Sequence, residues 1–158
     1  MILFGVQQAM TPWVKFGIFN AIAGLLIGLY VNSNATGDGY YTIVIVAPLA
    51  AFLTAALFWK WLIKPDRPMG AGRVVLVGLL TGTVSHYVAF ILMSIGMNIC
   101  FWTTGGCTGS LGDPPASIIM MLGGAFAYSF FSLLYVGWIS APASIVIGLL
   151  LRSRLQSK

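Results

Sequence analysis

Apolar residues run through this chain in four long blocks, and the polar and charged positions gather between them. A bilayer core of about 30 Å takes roughly 20 mainly apolar residues in a helix, and each block meets that length. The pattern predicts spans at about 13–31, 41–63, 73–97 and 117–151. Thr11 and Pro12 open the first as N-cap and first helical residue. Lys15 lies near enough to its end for the long stem to reach the headgroups. Tyr40 and Tyr41 bracket the second span at one interface, Trp59 and Trp61 at the other. The third span begins near Arg73 and reaches toward Trp102.

The fourth block is too long for one straight crossing. From Ala116 to Leu151 a helix would measure roughly 54 Å at 1.5 Å per residue. Two crossings would carry Arg152, Arg154 and Lys158 to the side opposite the other basic residues. The sequence therefore predicts one crossing with a broken or extended helix, the break falling at Gly123–Gly124 or at Ser140–Pro142, where proline removes a backbone donor. The fold expected is an all-α, four-helix transmembrane bundle forming a single domain over residues 1–158.

Composition agrees. Of 158 residues, 59% are hydrophobic and 7% charged, and the mean hydropathy is +0.96. A soluble domain needs about a quarter of its residues charged, so a water-soluble enzyme is excluded. Met1 to Gln8 lack the basic start of a secretory signal, and the first span is expected to serve as its own insertion signal.

The net charge of +5 does not point to nucleic acid, because the basic residues form no patch or stripe. They flank the apolar blocks: Lys15, then Lys60, Lys64, Arg67 and Arg73, then Arg152, Arg154 and Lys158. The segments Asn32–Tyr40 and Asn98–Pro115 hold Asp38 and Asp113 and no Lys or Arg. Positive residues stay inside, so both termini are expected in the cytoplasm. The short loops read as those of a bacterial inner-membrane protein. On that reading Asn34-Ala-Thr36 is a chance match to a glycosylation triplet.

Small residues form two stripes. Gly17, Ala21, Gly24 and Gly28 share one face of the first span, and Gly78, Gly82, Ser85 and Ala89 one face of the third. Lipid offers helices no hydrophobic reason to associate, so such faces permit close backbone contact. They serve either a partner or this chain's own bundle, and packing within the bundle is the expected use.

His86 is the sole histidine and falls near mid-membrane, beside Asn20 as the other strongly polar intramembrane residue. An ionisable group at that depth is costly and points to a site. With no second histidine, neither haem nor a four-ligand metal centre is expected, and no cofactor is foreseen. The expected partner is Tyr128, Ser129 or Ser132 of the fourth span. His86, Met93, Met97 and Cys100 also fall on one helix face and offer ligands that suit Cu(I). Met93 and Met97, with three residues between them, resemble the M-x-x-x-M element of the Ctr-type copper transporters, which implies passage of a soft metal ion. Cys100 and Cys107 would form a disulfide in an oxidising compartment, stabilising by about 2–3 kcal/mol and removing the outermost metal ligand.

No carboxylate pair and no complete nucleophile–base set is evident, so catalysis is not expected. The function expected is that of a non-catalytic membrane subunit or accessory protein, packed against other integral membrane subunits or copies of itself. The alternative is a small transporter or channel subunit, its path drawn from Asn20, Thr54, Thr81, Thr83, Ser85, His86, Ser94 and Ser132, and its solute a neutral one or Cu(I) held by His86, Met93 and Met97.

Overall fold

A computed structural model describes residues 11–36, 40–64, 68–105, 107 and 115–157. The expectations for Met1–Gln8, Asp38, Arg67, Asp113 and Lys158 lie outside the described residues. Four helical stretches are long and apolar enough to cross a membrane, and the protein is a multi-pass membrane protein. Helix α1 spans Pro12–Asn34, α2 Tyr41–Leu62 and α3 Ala71–Thr104. The fourth stretch is joined from α4 (Ile118–Ser132), a π-helical turn (Leu133–Gly137) and α5 (Trp138–Gln156).

Thr11 stands at the N-cap of α1 with Pro12 behind it, but its hydroxyl does not cap. The proline supplies the start, since its fixed φ is already helical and its missing donor would be unpaired there anyway. Ser117 does cap, accepting from the Met120 N–H at the start of α4. Helix α3 runs to Thr104, beyond the span end expected at 97 and two residues past Trp102. At 1.5 Å per residue its 34 residues measure about 51 Å. Asn98 and Cys100, expected in a loop, therefore belong to helix. Asn98 holds this extension in place: its Nδ2 donates to the Ala116 carbonyl and its Oδ1 accepts from the Ala116 N–H, both at 3.0 Å. One amide side chain thus imitates a backbone partner for the returning strand of chain.

Each sequential pair of spans is antiparallel. Gly17 faces Phe52, Gly24 faces Ala47 and Gly28 faces Ile43 across α1 and α2, while Gly78 faces Ile145 and Gly82 faces Ala141 across α3 and α5. Helix α2 packs against α1 and α3, α3 against α5, and α5 returns to α1, which closes a ring. Helix α4 stands outside that ring and leans on α3. The described lysines and arginines thereby gather at one end, and the Cys100–Cys107 disulfide marks the other.

The basic half of the bundle is filled. Phe16, Ala55, Trp59, Val74, Val77 and Leu151 form a buried cluster, in which the Phe16 and Trp59 rings lie 4.7 Å apart. Arg152 closes this end by donating from Nε to the Met69 carbonyl at 2.7 Å.

The departure from α-geometry in the fourth span lies at Leu133–Gly137, between the two places the sequence suggested. Gly123–Gly124 and Ser140–Pro142 are both within α-helical turns. In lipid an open backbone group costs several kcal/mol, so a glycine pair stays helical where in water it would fray.

Candidate functional site

His86 is buried on α3, and both ring nitrogens are engaged. Nδ1 lies 2.7 Å from Ser132 Oγ and Nε2 lies 2.9 Å from Ser140 Oγ. Ser140 in turn donates to the Gly82 carbonyl at 3.0 Å. A hydroxyl has one proton. With that proton on Gly82, Ser140 accepts from Nε2–H, which leaves Nδ1 to take the Ser132 proton in the neutral ring. The result is a polarised line from Ser132 through His86 and Ser140 to the α3 backbone.

Helical phase explains how two serines of one helix reach the same ring. Eight residues of ideal α-helix advance about 80° beyond two full turns, which would turn one serine away. The π turn between them absorbs one extra residue, and the remainder falls to about 20°. Ser132 at the end of α4 and Ser140 in α5 thereby face α3 together.

His86 also sits on the wall of a cavity of about 80 Å³ bounded by α1, α2, α3 and the fourth span. Its depth runs from Asn20 and Thr81 toward Val31, Ile43 and Met93, a length of about 17 Å by helical rise. The filled basic half forms its floor. Its lining is mainly apolar, and among the described residues no Asp, Glu, Lys or Arg lies on it. At the seam between α1 and the π turn, the rings of Tyr30 and Tyr135 stack with centroids 6.5 Å apart.

The expected site residues fall into separate places. His86, Asn20, Thr81, Ser85, Ser132 and Met93 all line the cavity, whereas Thr54, Thr83, Ser94 and Met97 do not. Thr54 and Thr83 bond back to carbonyls of their own helices, Ala50 and Leu79. Asn20 donates to the Phe16 carbonyl at 2.9 Å. The metal ladder is not assembled: Cys100 is spent in the disulfide with Cys107, and both His86 nitrogens are bonded to serines. Among the described residues no group of three His, Cys, Asp or Glu side chains converges.

Both small-residue stripes are consumed inside the bundle. A Cβ on Gly24 would come within 2.9 Å of the Ala47 carbonyl, and one on Gly78 within 2.6 Å of the Ile145 Cα. A Cβ on Gly82 would overlap Ala141. Ser85 faces the cavity instead, and Ala21 is half-buried on α1.

Two features escaped the sequence, and two expected partners of His86 do not reach it. Ser140 binds His86, but only the π turn brings it there. Tyr128 and Ser129, the other candidate partners, lie apart from the ring: Tyr128 is exposed and packs on Phe90, and Ser129 bonds to the Phe126 carbonyl. Gly123 and Ala127 form a small-residue step on the open side of α4, where a Cβ added to Gly123 meets nothing within 4 Å. The signal for that step, two small residues four apart, is present in the sequence, where the Gly123–Gly124 pair suggests a helix break instead.

No protein-family model, curated protein or solved structure matches this chain. What the fold defines is a class: a polytopic, all-helical membrane protein with a histidine clasp on the wall of a mainly apolar cavity.

Proposed function

We propose that this protein is a membrane-embedded subunit that seats a transmembrane helix of another integral membrane protein against α4. The observation that carries the reading is the isolation of that helix. Of its fifteen residues only Ala125 and Ser129 are buried, and Ile119 and Phe126 are 84% and 71% exposed. Gly24, Gly28, Gly78 and Gly82 are each met by the backbone of a neighbouring helix, whereas Gly123, like Gly96 on α3, meets nothing within 4 Å, and Ala127 one turn on is exposed. A helix of small residues flanked by aromatics suits van der Waals contact with a second helix.

The His86–Ser132 pair supports a structural rather than a catalytic role. Ser132 sits inside a continuous helical stretch, whose backbone N–H groups are spent in the ladder and offer no oxyanion site. The basic end faces the cytoplasm by the positive-inside rule, and the disulfide end faces an oxidising space such as a bacterial periplasm. These two indications are independent and agree.

The test is substitution on the open face. Gly123→Leu and Ala127→Leu, in protein extracted gently from its own membrane, should abolish association with the partner while leaving thermal stability unchanged. Leu150→Ala, on the exposed side of α5, should leave association intact. Retained association in both leucine variants would refute the reading.

A second reading, a transporter subunit for a neutral solute, draws on the half-depth cavity. Uptake into liposomes that is lost in His86→Ala would favour it.

A further inference from the structure

The basic end carries an inference independent of what covers α4. Every helix of the ring contributes to the buried cluster there: Phe16 from α1, Trp59 from α2, Val74 from α3 and Leu151 from α5. The sequence neighbour of each is a cation, respectively Lys15, Lys60, Arg73 and Arg152. Four positive side chains therefore stand at one depth, one on each helix. Three positions deeper, on the same helix faces, Ile18, Leu57 and Leu76 are exposed and apolar. Hydrocarbon begins just beneath the cations, and their level is that of the lipid headgroups.

The chain does little to balance this charge. Its eight lysines and arginines face three acidic residues, of which only Asp66 falls between α2 and α3. No described residue bears a carboxylate side chain. An anion brought to this level is attracted by all four cations, and at headgroup depth the anions at hand are those of acidic lipids.

Arg152 differs from the other three. It is partly buried, and its Nε donates to the Met69 carbonyl at 2.7 Å, which fixes the plane of the guanidinium. Its two terminal nitrogens bond to no described residue. A guanidinium held in one plane presents parallel N–H donors, the geometry that a phosphate accepts through two oxygens. A lysine offers only a mobile point charge.

We propose that Arg152 holds the phosphodiester of an anionic phospholipid beside Met69, where α5 meets the start of α3, with the acyl chains running toward the middle of the bilayer. The headgroup carries no ammonium, because the surrounding cations repel the choline of a zwitterionic lipid. Phosphatidylglycerol meets both conditions.

The experiment is native mass spectrometry of the full chain, released from micelles that hold phosphatidylglycerol and phosphatidylcholine with identical acyl chains. One phosphatidylglycerol should stay on each chain after phosphatidylcholine has dissociated. It should also survive a prior wash in about 1 M NaCl, where attraction between exposed charges is screened beyond about 3 Å. Arg152→Gln should weaken retention at least tenfold, the loss expected for a charge-assisted hydrogen bond. Arg152→Lys, which keeps the charge and loses the fork, should weaken it as well. Lys64→Gln and Arg154→Gln, exposed at the same end, should bind as the parent does. The lipid comparison in the parent needs no variant, and it decides the matter even if Arg152→Gln perturbs folding by freeing the Met69 carbonyl. Equal retention of the two lipids would show no selection of an anionic headgroup. Weakening spread evenly over Arg152→Gln, Lys64→Gln and Arg154→Gln would show diffuse attraction without a site. Either result overturns the proposal.

Discussion

Ser132 and Ser140 lie eight positions apart on one helical stretch and yet hold opposite nitrogens of the same imidazole, at 2.7 and 2.9 Å. A regular α-helix does not offer both side chains to one point. The π turn at Leu133–Gly137 and the His86 clasp therefore support each other: the turn aligns the serines, and the ring ties its two ends to α3.

Deleting Leu134 tests that dependence. With the extra residue removed, the stretch should revert to plain α-helix and swing Ser132 away from Nδ1. The ¹⁵N spectrum of His86 should then show one hydrogen-bonded nitrogen where the parent shows two. An unchanged spectrum would mean that the π turn does not set the register.

Cutting the clasp should cost stability unevenly. Hydrogen bonds between membrane helices average about 0.6 kcal/mol and reach about 1.7. Ser132→Ala breaks one such bond, whereas Ser140→Ala also frees the Gly82 carbonyl contact and should cost roughly twice as much. Once His86→Ala is in place, neither serine should matter to the ring. Unfolding measured by steric trapping in bicelles, arranged as double-mutant cycles, reads these values. Additive losses would show that the three residues do not act through one another.

The spans were legible because lipid imposes a length, and the ends because lysine and arginine cannot enter it. His86 was legible as a buried group needing a partner, and Ser132 as one of three candidates at the right depth. Ser140 was not, because its phase depends on a π turn whose residues, Leu133 to Gly137, include no proline and only a terminal glycine. The sequence suggests a break at Gly123–Gly124 or Ser140–Pro142, because glycine pairs loosen a helix where backbone groups can find solvent and proline removes a backbone donor. Inside a bilayer those groups have nowhere else to bond. The cavity was partly visible as a roll of polar residues, but only the fold separates Thr81 and Ser85, which lack back-bonds, from Thr54 and Thr83, which have them.

Glycines of equal standing in the sequence should respond differently to alanine. Gly82→Ala forces a Cβ onto the Ala141 backbone and should destabilise by about 1–3 kcal/mol through overpacking. Gly123→Ala enters open space and should change the stability of the isolated chain by less than about 0.5 kcal/mol. Thermal denaturation in one detergent compares them directly.

The disulfide should be protective rather than reactive. Cys100 and Cys107 close a loop with a sequence separation of 7, and chain entropy assigns that closure about 2.5 kcal/mol. Cys100→Ser with Cys107→Ser should lower the unfolding temperature, and alkylation of the parent should require prior reduction. Ready alkylation without reductant would contradict the pairing.

In the proposed function α4 is a helix that awaits a neighbour. Particles cut from the native membrane with an amphipathic copolymer and imaged by electron cryomicroscopy test this directly. The prediction is a transmembrane helix of a second polypeptide packed along Gly123 and Ala127, with its backbone close to theirs. A solitary chain whose α4 is surrounded only by lipid would contradict it.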